Sequence, residues 1–169
     1  RLHNNGTIDE SFQVNYFGQG STVKLTGDNQ ILIGGHFDSV NGTMRNGLAK
    51  IDPEGNVVES FNAINILPDS YTVQAIYSLN DGSQLIGGYY GSSLSGFVWK
   101  IDKNASTILF ELNEIPYYVV GDFLVLEDRI LVSGGSGNPY PVLQIDFDGN
   151  FIEQASFSLS YYDPVISDY

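Results

Sequence analysis

The eight residues Asp28–Gly35 read Asp-Asn-Gln-Ile-Leu-Ile-Gly-Gly, and they return as Asp81–Gly88, Asp-Gly-Ser-Gln-Leu-Ile-Gly-Gly. A more worn copy, Asp-Arg-Ile-Leu-Val-Ser-Gly-Gly, spans Asp128–Gly135. The second copy starts 53 residues after the first, and the third 47 residues after the second. A turn residue, a short apolar run and a Gly-Gly pair, repeated at a near-constant period, mark one supersecondary unit stacked in series.

A second element repeats between these copies. Arg1–Phe12 and Lys50–Phe61 lie 49 residues apart, and each reads as a strand, a turn with Gly, and a strand finishing Glu-Ser-Phe. Shorter counterparts are Lys100–Ala105 and Gln144–Ile152. One more apolar segment precedes each Gly-Gly run: Thr22–Leu25, Val73–Tyr77 and Phe123–Val125. Alternation at Val23/Leu25 and at Val73/Ala75/Tyr77 suits strands packed against a neighbouring sheet. The first full unit is expected to place strands at Thr22–Leu25, Gln30–Phe37, Leu48–Asp52 and Asn56–Phe61.

Four short antiparallel strands per repeat of this length predict an all-β chain built from β-propeller blades. Three complete blades are expected at 13–61, 62–110 and 111–157. Residues 1–12 read as the second half of a preceding blade, and residues 158–169 as a tail or the start of a next one. Three and a fraction blades do not close a ring, because propellers need four to eight. The chain therefore reads as a segment of a larger propeller. The other reading is a small four-bladed ring in which residues 1–12 pair with the tail. The gap from Gly-Gly to the next strand shortens from 15 to 12 to 9 residues. Variation confined to one connection points to loops on a single face as the binding surface.

Composition narrows the partners. A net charge of −13 argues against a nucleic-acid backbone, which needs a basic patch. The seven Lys and Arg are scattered singly, so an anionic membrane surface is not expected either. With no cysteine, disulfide frameworks and Cys-ligated zinc are excluded. No apolar run approaches the ~20 residues of a membrane span, and no window shows sustained helical periodicity.

The pattern in Arg1–Phe12, followed by Ile31–Gly42 and Asn46–Phe61, resembles the delta-60 repeat of bacterial secreted and surface proteins. The match is nearly continuous through the first blade. The second keeps Leu85–Gly88 and Lys100–Asp102, and the third keeps Gly134-Gly135 and Asp148–Asn150. The resemblance implies a β-propeller outside the cytoplasm, at a cell or virion surface, often beside other domains. It brings no catalytic residues.

Few residues point to chemistry. Asp146, Asp148 and Asn150 have the opening spacing of a calcium loop, but residue 157 is Phe where that loop would need Glu. A hairpin turn is the competing reading, and calcium is the one cofactor considered. His3 and His36 stand apart, and no serine elbow or phosphate-binding loop is present. Asn5, Asn41 and Asn104 open glycosylation sequons in expected turns. Tyr89, Tyr90, Tyr117, Tyr118 and Tyr140, with Tyr161 and Tyr162, fall in or beside expected loops. There they are read as ring platforms for sugars, against the plainer reading of strand-end packing. The expected innermost strands carry Lys24, Gln74 and Asp122, with no shared acid. The leading expectation is a non-enzymatic extracellular interaction module, or a structural one, binding protein or glycan through loops on one face. The alternatives are a structural or receptor-binding part of a phage tail, and a glycan hydrolase or lyase working at the central channel.

Overall fold

The computed structural model describes residues 1–91, 95–115, 119–135 and 141–156. They form three four-stranded antiparallel sheets in chain order, with no helix among the described residues. Sheet 1 contains β1 (Tyr16–Leu25), β2 (Ile31–Val40), β3 (Thr43–Met44) and β4 (Leu48–Ile51), with β2 pairing all three others. Sheet 2 runs β5 (Tyr71–Ser78), β6 (Gln84–Tyr90), β7 (Ser95–Ile101), β8 (Ile108–Ile115) as a simple meander. Sheet 3 repeats that order with β9 (Val120–Val125), β10 (Ile130–Gly134), β11 (Pro141–Ile145) and β12 (Phe151–Ser156).

The first two Gly-Gly pairs do not end their strands, whereas β10 stops at Gly134. β2 continues five residues past Gly35, pairing Tyr16 with Val40, and β6 continues to Tyr90. Opposite each pair the first strand of the sheet carries a bulge, with the register jumping from Gly20 to Thr22 and from Val73 to Ala75. The extra residues are Ser21 and Gln74, and a bulge of this kind pushes the backbone of its strand toward the partner. A Cβ at Gly35 would collide with the carbonyl oxygen of Gln19, and one at Gly88 with that of Thr72. The second glycine is there to admit the bulge. The register also shows that Lys24, Gln74 and Asp122 are not repeat equivalents: Lys24 aligns with Tyr77, and Gln74 with Ser21.

The first glycine of each of the first two pairs admits the next sheet. A Cβ on Gly34 would lie 2.8 Å from Val73 Cγ1 and 3.0 Å from Ile76 Cδ1, both on β5. A Cβ on Gly87 would lie 2.5 Å from Val120 Cγ1 and 2.8 Å from Phe123 Cζ, both on β9. The sheets therefore pack face to face, first strand beside first strand. One core lies between sheets 1 and 2 and includes Leu32, Leu48, Phe61, Val73, Ile86, Phe97 and Trp99. A second lies between sheets 2 and 3 and includes Leu85, Val98, Val120, Phe123, Val132 and Ile145. Strict alternation delivers the residues: in β6 and β7, Ile86 and Phe97 face one junction while Leu85 and Val98 face the other.

The fourth strand expected at Asn56–Phe61 is not formed. Val57 makes an isolated bridge to Ile51, and the chain then turns, with Phe61 N–H donating to Val58 O at 3.1 Å. The turn carries Phe61 into the first junction, where it is 1% exposed. Burying a phenyl ring is worth roughly 1.5–3 kcal/mol, enough to offset the one or two edge ladder bonds given up at about 0.5–1.5 kcal/mol each. Residues 1–14 stand to sheet 1 as 50–63 stand to sheet 2. Phe12 and Val14 cover its outer face, against a cluster of Phe37, Val40, Ala49 and Ile51. In sheet 2 the fourth strand is present, and it runs across the division expected at 110/111. Residues 157–169 lie outside the described chain.

Candidate functional site

Register fixes which turns share an end of the sheets. Ile31 pairs with Ile51, so the turn 26–30 between β1 and β2 and the turn after β4 emerge side by side. The hairpin tip at Asn41-Gly42 is at the other end. The function-bearing loops were expected after Gly35, Gly88 and Gly135, at that second end. In sheets 1 and 2 most of this stretch is strand, because the ladder resumes beyond each bulge.

The cleft of interest opens at the first end, between sheets 1 and 2. It has a volume of about 630 Å³ and is lined by turns of both sheets, including Asp28, Lys50, Ser60, Asn80, Lys103 and Asn104. Aspartates stiffen its rim. Asp28 Oδ1 accepts from the Thr26 hydroxyl, and Thr26 Oγ1 in turn accepts Gln30 N–H at 3.1 Å. Asp81 Oδ1 accepts Ser83 N–H at 2.9 Å and its hydroxyl at 2.5 Å. Asp102 Oδ1 accepts the N–H groups of Ser106 and Thr107, each at 2.7 Å. Such Asx turns satisfy backbone donors that a tight turn would otherwise leave to water.

These contacts set the acidity. The Thr26 hydroxyl, and after it the Lys50 charge, hold the Asp28 carboxyl below its ordinary range, against some desolvation. Ser83, through side chain and then backbone, does the same for Asp81, with Lys100 adding to the effect. For Asp102 desolvation works upward but is outweighed by three backbone N–H donors. The three carboxylates are fixed negative charges at neutral pH.

Lys50 acts on Asp28 through space but forms no ion pair with it. It is 8% exposed, and its ammonium lies 4.9 Å from the centre of the Phe61 ring. It makes no hydrogen bond or ion pair to any described residue. Its repeat equivalent Lys100 sits 3.7 Å from Asp81 Oδ2. In sheet 3 the same position is Gln144, whose Oε1 accepts from Arg129 at 2.9 Å. The cation has moved to the turn before β10 there, with Arg129 also holding Asp128 at 2.7 Å.

The residues singled out in the sequence fall elsewhere. Tyr89 and Tyr90 are half-buried on β6, not in a loop. The Tyr90 ring stacks on Tyr71 with centres 4.7 Å apart, and Tyr71 in turn meets Phe97 and Trp99 at 4.9 and 5.2 Å. Strand continuation past Gly88 puts Tyr90 against the core in place of solvent. Tyr117, Tyr118 and Tyr140 lie outside the described residues, as do Tyr161 and Tyr162. Asp146, Asp148 and Asn150 form the β11–β12 turn. Asp146 Oδ1 accepts the N–H of Asp148 at 3.0 Å and of Asn150 at 2.8 Å, and Oδ2 accepts the Asn150 amide at 2.9 Å. Asp52 repeats this set with Glu54 and Asn56. Among the described residues no three His, Asp or Glu side chains are grouped to hold a metal. His3 approaches Asp9 at 4.0 Å, remote in sequence from His36.

Sequence reasoning passed over Lys50, Asp28, Ser60 and Lys103. The sequence signal is the recurrence of Lys50 and Lys100 before Ile-Asp, which the repeat frame alone also explains. That one lysine is paired and the other is not cannot be seen without the turns in place.

Residues 26–61 match a family described as a domain of unknown function (DUF5122) β-propeller. The matched stretch is the turn, β2–β4 and the Phe61 crossover of sheet 1. A crystal structure of a protein of unknown function from Bacteroides caccae shares the fold, with a TM-score of 0.55 and 16% identity. The similarity covers 83% of this chain and 46% of that one, so the chain spans less than half of its structural relative. No curated protein matches it. The three sheets are thus an all-β assembly of β-propeller type, similar over the first of them to a propeller family of unknown function.

Proposed function

We propose that the chain is a non-enzymatic interaction module of a bacterial surface protein, built on delta-60-type repeats, that takes a glycan into the cleft between sheets 1 and 2. The observation that carries this reading is the cleft's supply of unengaged polar groups. The side chains of Ser60, Asn80, Asn104 and Lys50 line it and make no hydrogen bond with any described residue. A volume of about 630 Å³ falls in the range of small-ligand sites. Amide, hydroxyl and ammonium groups held on stiff turns suit a ligand rich in hydroxyls, since little ordering remains to be done on binding. Val23 and Phe17, exposed on sheet 1 at 68% and 75%, suit contact with neighbouring blades.

The test is a glycan array probed with the chain, followed by calorimetry on retained oligosaccharides. Asn80→Ala combined with Asn104→Ala is expected to weaken binding at least tenfold with the unfolding midpoint unchanged. An empty array, or binding indifferent to the double substitution, would remove the reading.

A further inference from the structure

We infer that the ligand of this cleft carries a carboxylate, as an acidic sugar does, and that the Lys50 ammonium is the group that recognises it. The inference rests on the glycan reading above and names its ligand class. The repeat supplies an internal control. Lys50 and Lys100 start from equivalent strand positions, since Leu32 pairs with Lys50 and Leu85 with Lys100. Lys100 is neutralised by Asp81 at 3.7 Å. Lys50 has Asp28 at the equivalent place and acts on it through space, but the two do not come within ion-pair distance. A frame lysine would be expected to pair as Lys100 does. The Lys50 ammonium instead lies nine-tenths buried over the Phe61 ring at 4.9 Å.

Burying an ammonium with no carboxylate at ion-pair distance is costly, and a ring face with a more remote aspartate offsets only part of that cost. A bound anion would offset the rest, which gives the site differential affinity for charged over neutral sugar. The wider field agrees. The chain carries −13, yet this cleft is lined by two lysines, Lys50 and Lys103, against the single acid Asp28. The rim adds Asp81, which Lys100 pairs, and Asp102, so the cleft is far less negative than the chain as a whole and is the place where an anion is least repelled. One buried ammonium with one rim lysine and no guanidinium fork matches a single carboxylate better than a doubly charged phosphate.

The experiment pairs oligogalacturonate and oligoglucuronate with their carboxyl-reduced, neutral counterparts, titrated into the chain by calorimetry at low and physiological salt. The acidic forms are expected to bind at least tenfold more tightly than the neutral ones. Lys50→Met, which keeps the aliphatic stem, is expected to erase that ratio, and Lys103→Ser to reduce it severalfold at low salt. If Lys50→Met does not fold, Lys103→Ser and the salt dependence of the wild type decide. Equal binding of acidic and neutral forms, unchanged by either substitution, would overturn the carboxylate inference and leave the glycan reading standing. Binding of neither form would overturn both.

Discussion

Gly87 and Val120 are matched in size across two sheets. A single added carbon on Gly87 would sit 2.5 Å from the Cγ1 of Val120, well inside van der Waals contact. Gly34 stands in the same relation to Val73 one repeat earlier, at 2.8 Å. The spacing between sheets is set by this glycine, because a packed interior leaves no slack for one more methyl.

Gly87→Ala is therefore expected to destabilise the chain by about 1–3 kcal/mol through overpacking. Val120→Ala alone should cost a similar amount through lost burial. The double variant should be more stable than the sum of the two, since each change relieves the other. Urea unfolding of the four proteins gives the coupling, and simple additivity would mean the sheets can shift apart freely.

Phe61→Ala should be among the more damaging single changes, at about 3–5 kcal/mol, because the ring is fully enclosed between sheets 1 and 2. Phe12→Ala removes the repeat equivalent from the outer face of sheet 1, where the ring is only half-buried. It should cost less than half as much. Equal losses would show that the crossover residue matters for its turn and not for its junction.

Tyr90→Phe should leave stability nearly unchanged, whereas Tyr90→Ala should cost about 1–3 kcal/mol as the stack on Tyr71 is lost. The chain has a single tryptophan, Trp99, which is 3% exposed and donates from Nε1 to Asn113 Oδ1 at 2.8 Å. Its emission should shift to the red in Tyr71→Ala, whose ring covers it. No shift would place the aromatic cluster away from the core.

The turn aspartates predict acid sensitivity. Asp28, Asp81 and Asp146 all have carboxyl groups held below the ordinary 3.8, chiefly by side-chain donors Thr26, Ser83 and Asn150. A folded-state value below the unfolded one stabilises the fold above the unfolded pKa, and that stability drains away as pH falls through the folded one. Asp81→Asn should thus be less stable than the wild type at about pH 6, with the gap closing toward about pH 3. A gap that persists unchanged to low pH would assign the loss to shape rather than charge.

The sequence by itself determined the unit and its period. The apolar run with Gly-Gly, the Lys-Ile-Asp turn and the Asp-Gly-Asn hairpin each encode local geometry, through alternation and through Asx turns that close within four or five residues. Those short-range preferences survive in any context, so strand order and most turns could be read directly. What the glycines are for could not, because Gly34 and Gly87 answer to side chains on the next sheet, about 40 and 33 residues away. Tyr90 went the same way: its place was decided by the ladder resuming beyond a bulge that only pairing with β5 reveals. The cleft is the clearest case. Lys50 and Lys100 stand in the same short motif, and only the folded turn of each sheet brings Lys100 to 3.7 Å from its aspartate while Lys50 lies over Phe61 outside ion-pair distance of its own. Charge pairing is a matter of a few ångströms between a turn and a strand of the same sheet, and distances of that kind exist only once each sheet has folded.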